Sequence, residues 1–139
     1  MQRTIVTSPA ILSQKSEPAT KNDVNAARDL ADTLAASEGR AVGMGANMIG
    51  ITKRIIVFKN ETENNRIVTM FNPEILEKYG PYEAEEECLS LEGSRTTTRY
   101  RRITVQYQDA DFHTHTAEYE GWPAQIIQHE VDHCDGILI

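Results

Sequence analysis

Gln128-His129-Glu130-Val131-Asp132-His133 carries a His-Glu-x-x-His pattern near the far end of the 139 residues. On a helix, residues four apart lie on one face, one turn above the other. His129 and His133 can therefore aim two imidazoles at one metal ion, with Glu130 beside them to handle a proton from water. A helix is indicated around them. Pro123 suits a first turn, Ala124, Ile127, Val131 and Cys134 recur along an apolar side, and Gly136 fits a stop. The bland alternative is a solvated helix with chance histidines, but the chain has only four histidines to supply the pair.

A catalytic tetrahedral site needs one more protein ligand and one open position. Working back from the helix, Cys88 in Glu85-Glu86-Glu87-Cys88-Leu89-Ser90-Leu91 is the best candidate, followed by a carboxylate or by His113 and His115. The two histidines sit two apart on one face of a candidate strand, where surface placement is the commoner outcome. Cys134 directly follows His133 and points away from the edge that the imidazoles share. The three acids before Cys88 read either as a solvated loop or as neighbours of a thiolate that a metal would stabilise.

The remaining chain supplies a frame. Val24, Ala27, Leu30, Ala31, Leu34 and Ala35 mark one face of a helix, capped by Asn22 or Asp23 and ended near Gly39. Residues 5–15 read as an irregular, extended opening broken by Pro9. Val42 to Gly50 is small and Gly-rich, the composition of a tight buried turn. Arg54–Phe58 and Arg66–Phe71 read as a hairpin ended by Asn72-Pro73, with further strands at residues 96–107 and 112–119. The expected class is α+β: antiparallel sheets packed around a C-terminal helix that carries the motif, with an N-terminal helix, in a single domain over residues 1–139.

Composition excludes several classes. A net charge of −7 argues against broad neutralisation of nucleic-acid phosphates, although Arg99, Arg101 and Arg102 form a short basic patch. No apolar run reaches membrane-span length, and residues 1–6 lack the core of a signal peptide, so the expected address is the cytoplasm. In that compartment two cysteines outside any Cys-x-x-Cys pair favour burial or metal ligation over a disulfide.

Three stretches resemble peptide deformylases. Gln128-His129-Glu130-Val131-Asp132-His133 with Cys134-Asp135-Gly136 is similar to their third motif. Glu86-Glu87-Cys88-Leu89-Ser90 is similar to their second, usually Glu-Gly-Cys-Leu-Ser. Val42 to Gly50 is similar to their first, usually Gly-x-Gly-x-Ala-Ala-x-Gln. The three occur in the family's order, and Asn72-Pro73-Glu74-Ile75 and residues 99–107 extend the likeness over nearly the whole chain. The resemblance implies one divalent ion on Cys88, His129 and His133, with Fe²⁺ the preferred ion and Zn²⁺, Ni²⁺ or Co²⁺ able to occupy the site. It implies removal of the formyl group from the N-terminal methionine of nascent peptides, at or near the ribosome, with Glu130 as general base and the backbone N–H of Leu89 helping to hold the oxyanion. It also implies a substrate pocket drawing on Val42, Gly43 and Ile126.

The chain departs from the family pattern at three places. Met48 stands where the first motif has an oxyanion-donating glutamine, and a thioether donates no hydrogen bond. Glu87 replaces the glycine before the metal cysteine. Ala41 and Gly45 alter the first motif's small residues. These departures motivate an alternative, a deformylase-like paralogue with weak or different hydrolytic activity. A non-catalytic metal- or peptide-binding protein belongs to another class, and a zinc endopeptidase would share only the His-Glu-x-x-His pattern.

Overall fold

The computed structural model describes residues 1–139. Three α-helices and five strands follow in chain order: α1 (Pro9–Leu12), α2 (Val24–Ala36), β1 (Gly43–Gly45), β2 (Ile55–Asn60), β3 (Arg66–Cys88), β4 (Leu91–Gln108), β5 (Thr114–Glu120) and α3 (Gly121–Cys134). The strands form one antiparallel sheet in sequential order β1-β2-β3-β4-β5. The α+β arrangement with the motif on the last helix is as expected.

Strand β2 explains how the sheet serves two helices. Successive strand residues point to opposite faces. Ile55 and Val57 join a cluster with Leu30 and Leu34 of α2, whereas Ile56 and Phe58 join one with Ile127 and Val131 of α3. All four β2 side chains are fully buried. A strand covered on both faces reads as a continuous apolar run, and Ile55-Ile56-Val57-Phe58 is such a run.

Several expectations need correction. The opening is not wholly extended, because Pro9 occupies the first turn of α1 and starts a helix there. Asp23 holds the N-cap position of α2, as expected, but makes no side-chain capping bond to that helix; Thr20 caps the short 3₁₀ turn, Lys21–Asp23, that leads into it. Its hydroxyl accepts from the Asn22 N–H while the Asp23 carboxylate accepts from the Thr20 N–H. On α2, Ala35 is exposed and Thr33 is buried in its stead. Thr33 can be buried because its hydroxyl donates to the Asp29 carbonyl at 2.7 Å and accepts from the Arg3 N–H.

Asn72-Pro73 does not end a strand. The pairing of β3 with β4 shifts register between Phe71 and Glu74, and β3 then continues to Cys88. Proline has no N–H for the ladder, so a bulge is where it fits. Asn72 takes a positive φ of 51°, and its amide side chain bonds the Ala19 backbone at both ends and Gln108. The Gly-rich stretch also does more than turn. Gly43–Gly45 is an edge strand and Ala46–Ile49 a 3₁₀ turn.

Gly43 is required by close approach rather than by backbone torsion. A Cβ built there would lie 2.7 Å from Ile126 Cγ2 and 3.0 Å from Glu130 Oε2. Strand β1 thus crosses α3 with room for hydrogen alone. Gly43→Ala should lower stability by about 1–3 kcal/mol, the ordinary cost of overpacking, read as a shift of the urea midpoint.

Candidate active site

Helix α3 begins at Gly121, whose φ of 64° lets β5 turn sharply into it. Ala124, Ile127, Val131 and Cys134 face the apolar core. That packing fixes the rotation of the helix and turns His129, Glu130 and His133 toward β1 and the end of β3. Cys134 is buried and its thiol is pushed up to about 12, chiefly by burial, so it stays a neutral core group.

The two imidazoles lie one above the other, with Nε2 atoms 3.1 Å apart. Cys88, at the end of β3, completes a buried trio whose ligand atoms all lie within 4.8 Å of one another. A tetrahedral ion with bonds near 2.1 Å needs donors about 3.4 Å apart. One thiolate and two imidazoles at this spacing fit a divalent transition ion, and they leave the fourth position for water or substrate. His113 and His115, the other candidates, gather instead on Asp109 in the β4–β5 turn, at 4.0 and 2.7 Å.

Each imidazole is placed for ligation. His133 is pulled down to about 3, first by burial and then by the neighbouring His129, so its ring is neutral. His129 Nδ1 lies 2.7 Å from Glu86 Oε1, which leaves Nε2 to face the trio. Burial opposes protonation of His129, but hydrogen bonds to Cys88 and Glu86 outweigh it and raise the ring to about 10. An ion at Nε2 would occupy the place of that proton.

Glu86 was not legible as a site residue from the acidic run around it. It is buried and takes a fork from Arg99 (Nε 2.9 Å, Nη2 2.7 Å), a bond from Gln125 Nε2 at 2.9 Å and the His129 contact. Burial pushes its carboxyl up, yet the His129 and Arg99 contacts prevail and hold it near 2. Arg99 donates a further bond to Asp132 at 2.7 Å. The basic patch expected at Arg99, Arg101 and Arg102 therefore does not exist as a patch. Arg99 is buried, while Arg101 and Arg102 lie over the rings of Tyr82 and Tyr79. The missed signal was strand parity: Glu86 is in phase with Cys88, so the two share a face.

A cavity of about 730 Å³ opens over Cys88 and His129 of this trio. Val42, Gly43, Met48, Leu89 and Ile126, the residues named from the motifs, all line it, together with Cys88, His129 and Glu130. Trp122 and Gln125, which the sequence reading did not single out, line it too. Glu130 is 4% exposed and its carboxyl is raised to about 7, first by burial. Its Oε1 has no hydrogen-bond partner. A buried carboxylate oxygen without a partner has room to take one from what enters the cavity.

A family model for polypeptide deformylases matches residues 2–139. The chain is 52% identical to a peptide deformylase of Clostridium beijerinckii over 139 residues, covering all of both chains. It is 34% identical to one from Symbiobacterium thermophilum, covering 96% of this chain and 63% of that longer one. Among solved structures, a class I type b peptide deformylase of Acinetobacter baumannii with Met-Ala-Ser bound superposes with a TM-score of 0.84 at 31% identity, over 99% of this chain and 97% of that one.

The Glu86 contacts should set metal retention. Glu86→Gln removes the charge that orients His129, and a lost outer partner of a ligating histidine typically costs 10–100-fold in affinity. The variant should release its ion to a competing chelator at about one-tenth the concentration that wild type requires, or less.

Proposed function

The chain belongs to the peptide deformylase family and is a metal-dependent hydrolase that removes the formyl group from N-terminal formyl-methionine, and we propose that Cys88, His129 and His133 hold its ion while Glu130 moves the protons. The observation that carries this assignment is the unpartnered Oε1 of Glu130, buried beside the ligand trio. A divalent ion bound to the trio would supply Lewis-acid chemistry, making a water more acidic and the formyl carbonyl more electrophilic. Everything else falls to the protein. Glu130 Oε1 accepts a proton from the attacking water and returns it to the departing methionine nitrogen. A carboxyl near 7 suits a group that must both take and give a proton near neutrality.

The backbone N–H of Leu89 donates to the formyl oxygen as charge builds there. Met48 lines the same cavity without a donor to add. Val42 and Ile126 offer apolar surface to the methionine side chain. The peptide beyond it lies along β1, which has a strand neighbour only on the β2 side. The peptide held by the Acinetobacter relative, Met-Ala-Ser, has the sequence expected of a product. A thiolate with two imidazoles suits borderline ions. We assign Fe²⁺ as the ion used in the cell, with Zn²⁺, Ni²⁺ or Co²⁺ as substitutes. The substrates are nascent chains met in the cytoplasm, at or near the ribosome. No helix is long and apolar enough to cross a membrane.

The test is turnover of formyl-Met-Ala-Ser by protein loaded with ion in the absence of oxygen. Glu130→Gln should keep its ion by metal analysis and lose about 10²–10⁴ in kcat, and equal rates would end the assignment. Cys88→Ala should lose stoichiometric metal. Met48→Gln should raise kcat at least about tenfold, because one oxyanion donor is typically worth 10²–10³.

A further inference from the structure

Two rows of side chains interlock behind His129. Tyr82 and Glu86 lie four apart on β3 with no register shift between them, so both point to one face. Gln125 and His129 lie four apart on α3, one turn above the other. The rows bond in a zigzag. The Tyr82 hydroxyl donates to Gln125 Oε1 at 3.2 Å, Gln125 Nε2 donates to Glu86 Oε2 at 2.9 Å, and His129 Nδ1 meets Glu86 Oε1 at 2.7 Å.

The direction of each bond is set from the His129 end. With Arg99 forked onto it, Glu86 is an ionised carboxylate and only accepts. Gln125 must therefore turn its amide nitrogen toward Glu86, which leaves Oε1 facing away and wanting a donor. The Tyr82 hydroxyl is that donor.

Gln125 also needs holding. Its side chain is long and rotamer-rich, and it lines the cavity, so it has open space to swing into. Tyr82 does not line that cavity. It borders a smaller one with Arg101, Glu120 and Gly121, and the Arg101 guanidinium lies over its ring at 5.2 Å. A hydroxyl outside the active-site cavity thus fixes a side chain in its wall.

We propose that Gln125, pinned by Tyr82, is a positioning residue for His129, holding Glu86 so that His129 Nε2 stays aimed at the trio. The proposal rests on the assignment of Cys88, His129 and His133 as ligands and adds two residues on which the site depends. Neither belongs to the three motifs.

The experiment titrates zinc-loaded protein with a competing chelator, in wild type, Gln125→Met, Tyr82→Phe and the double variant. Methionine keeps the length of glutamine at the cavity wall without its amide. Phenylalanine removes one oxygen and keeps the ring under Arg101, so Tyr82→Phe carries the test even if Gln125→Met folds poorly. Gln125→Met should release zinc at about one-tenth of the wild-type chelator concentration, the lower end of what an outer partner of a ligating histidine contributes. Tyr82→Phe should lower that concentration about fivefold, the worth of one hydrogen bond. The double variant should be no worse than Gln125→Met alone, because Tyr82 acts only through Gln125. In cobalt-loaded protein the visible absorption bands, which follow the arrangement of the ligand atoms, should shift in Gln125→Met. Two residues with a merely structural role would give additive losses and unmoved bands. Wild-type zinc retention in either single variant, additivity in the double variant, or unmoved cobalt bands overturns the positioning reading alone. Wild-type protein that binds no zinc, or zinc binding that survives Cys88→Ala, overturns the ligand assignment together with it.

Discussion

The buried contact between Glu86 and Arg99 is what the site hangs on. Two charges leave water there, which is costly unless geometry and further hydrogen bonds compensate. Here Arg99 forks onto Glu86 and reaches Asp132, while Glu86 also takes bonds from His129 and Gln125. Residues of β3, β4 and α3 thereby share one network. Strand β3 ends in Cys88, and α3 carries both imidazoles, so the network sets the distance between the thiolate and the rings. A hydrophobic substitute of similar volume can match such a pair in energy, but it would not aim His129 Nε2.

Close approach is the second constraint. The β1 crossing at Gly43 leaves room for hydrogen alone beside Ile126 and Glu130. Glu130 is thereby shut from bulk solvent and its carboxyl rises toward neutrality through burial. The same crossing brings the free edge of β1 beside that carboxyl. One small residue serves both the packing of β1 on α3 and the burial of Glu130.

How far the sequence carried differs from part to part. His129, Glu130 and His133 could be read because their relation is local: helix geometry alone puts them together. Cys88 is forty-odd residues away, and no periodicity links it to them, so the residues left several third ligands open and only the resemblance chose among them. Glu86 was hidden by Glu85 and Glu87, which share its composition but point the other way. Arg99 was hidden beside Arg101 and Arg102, and phase would not have singled it out, because Arg101 shares its parity on β4 and is exposed. For Glu86 the missing information was strand phase, and that depended on β3 running on past Asn72-Pro73. A proline read as a stop cut the strand before the phase could be counted. The capping of the turn before α2 and the exchange of Ala35 for Thr33 turn on single hydrogen bonds that composition does not reveal.

Helix α3 follows every other element in the chain, yet it supplies two of the three donors and the floor of the cavity. Its far end is fastened by residues from the opposite end: Ser16 donates to the Cys134 carbonyl at 2.8 Å and Asn47 to that of His133 at 3.0 Å. During synthesis the thiolate of Cys88 thus emerges well before its partners. Loop closure over such separations is slow compared with local helix formation. The three side chains of the trio therefore come together only once the last helix has packed against the sheet, so the site is complete only when the end of the chain is in place.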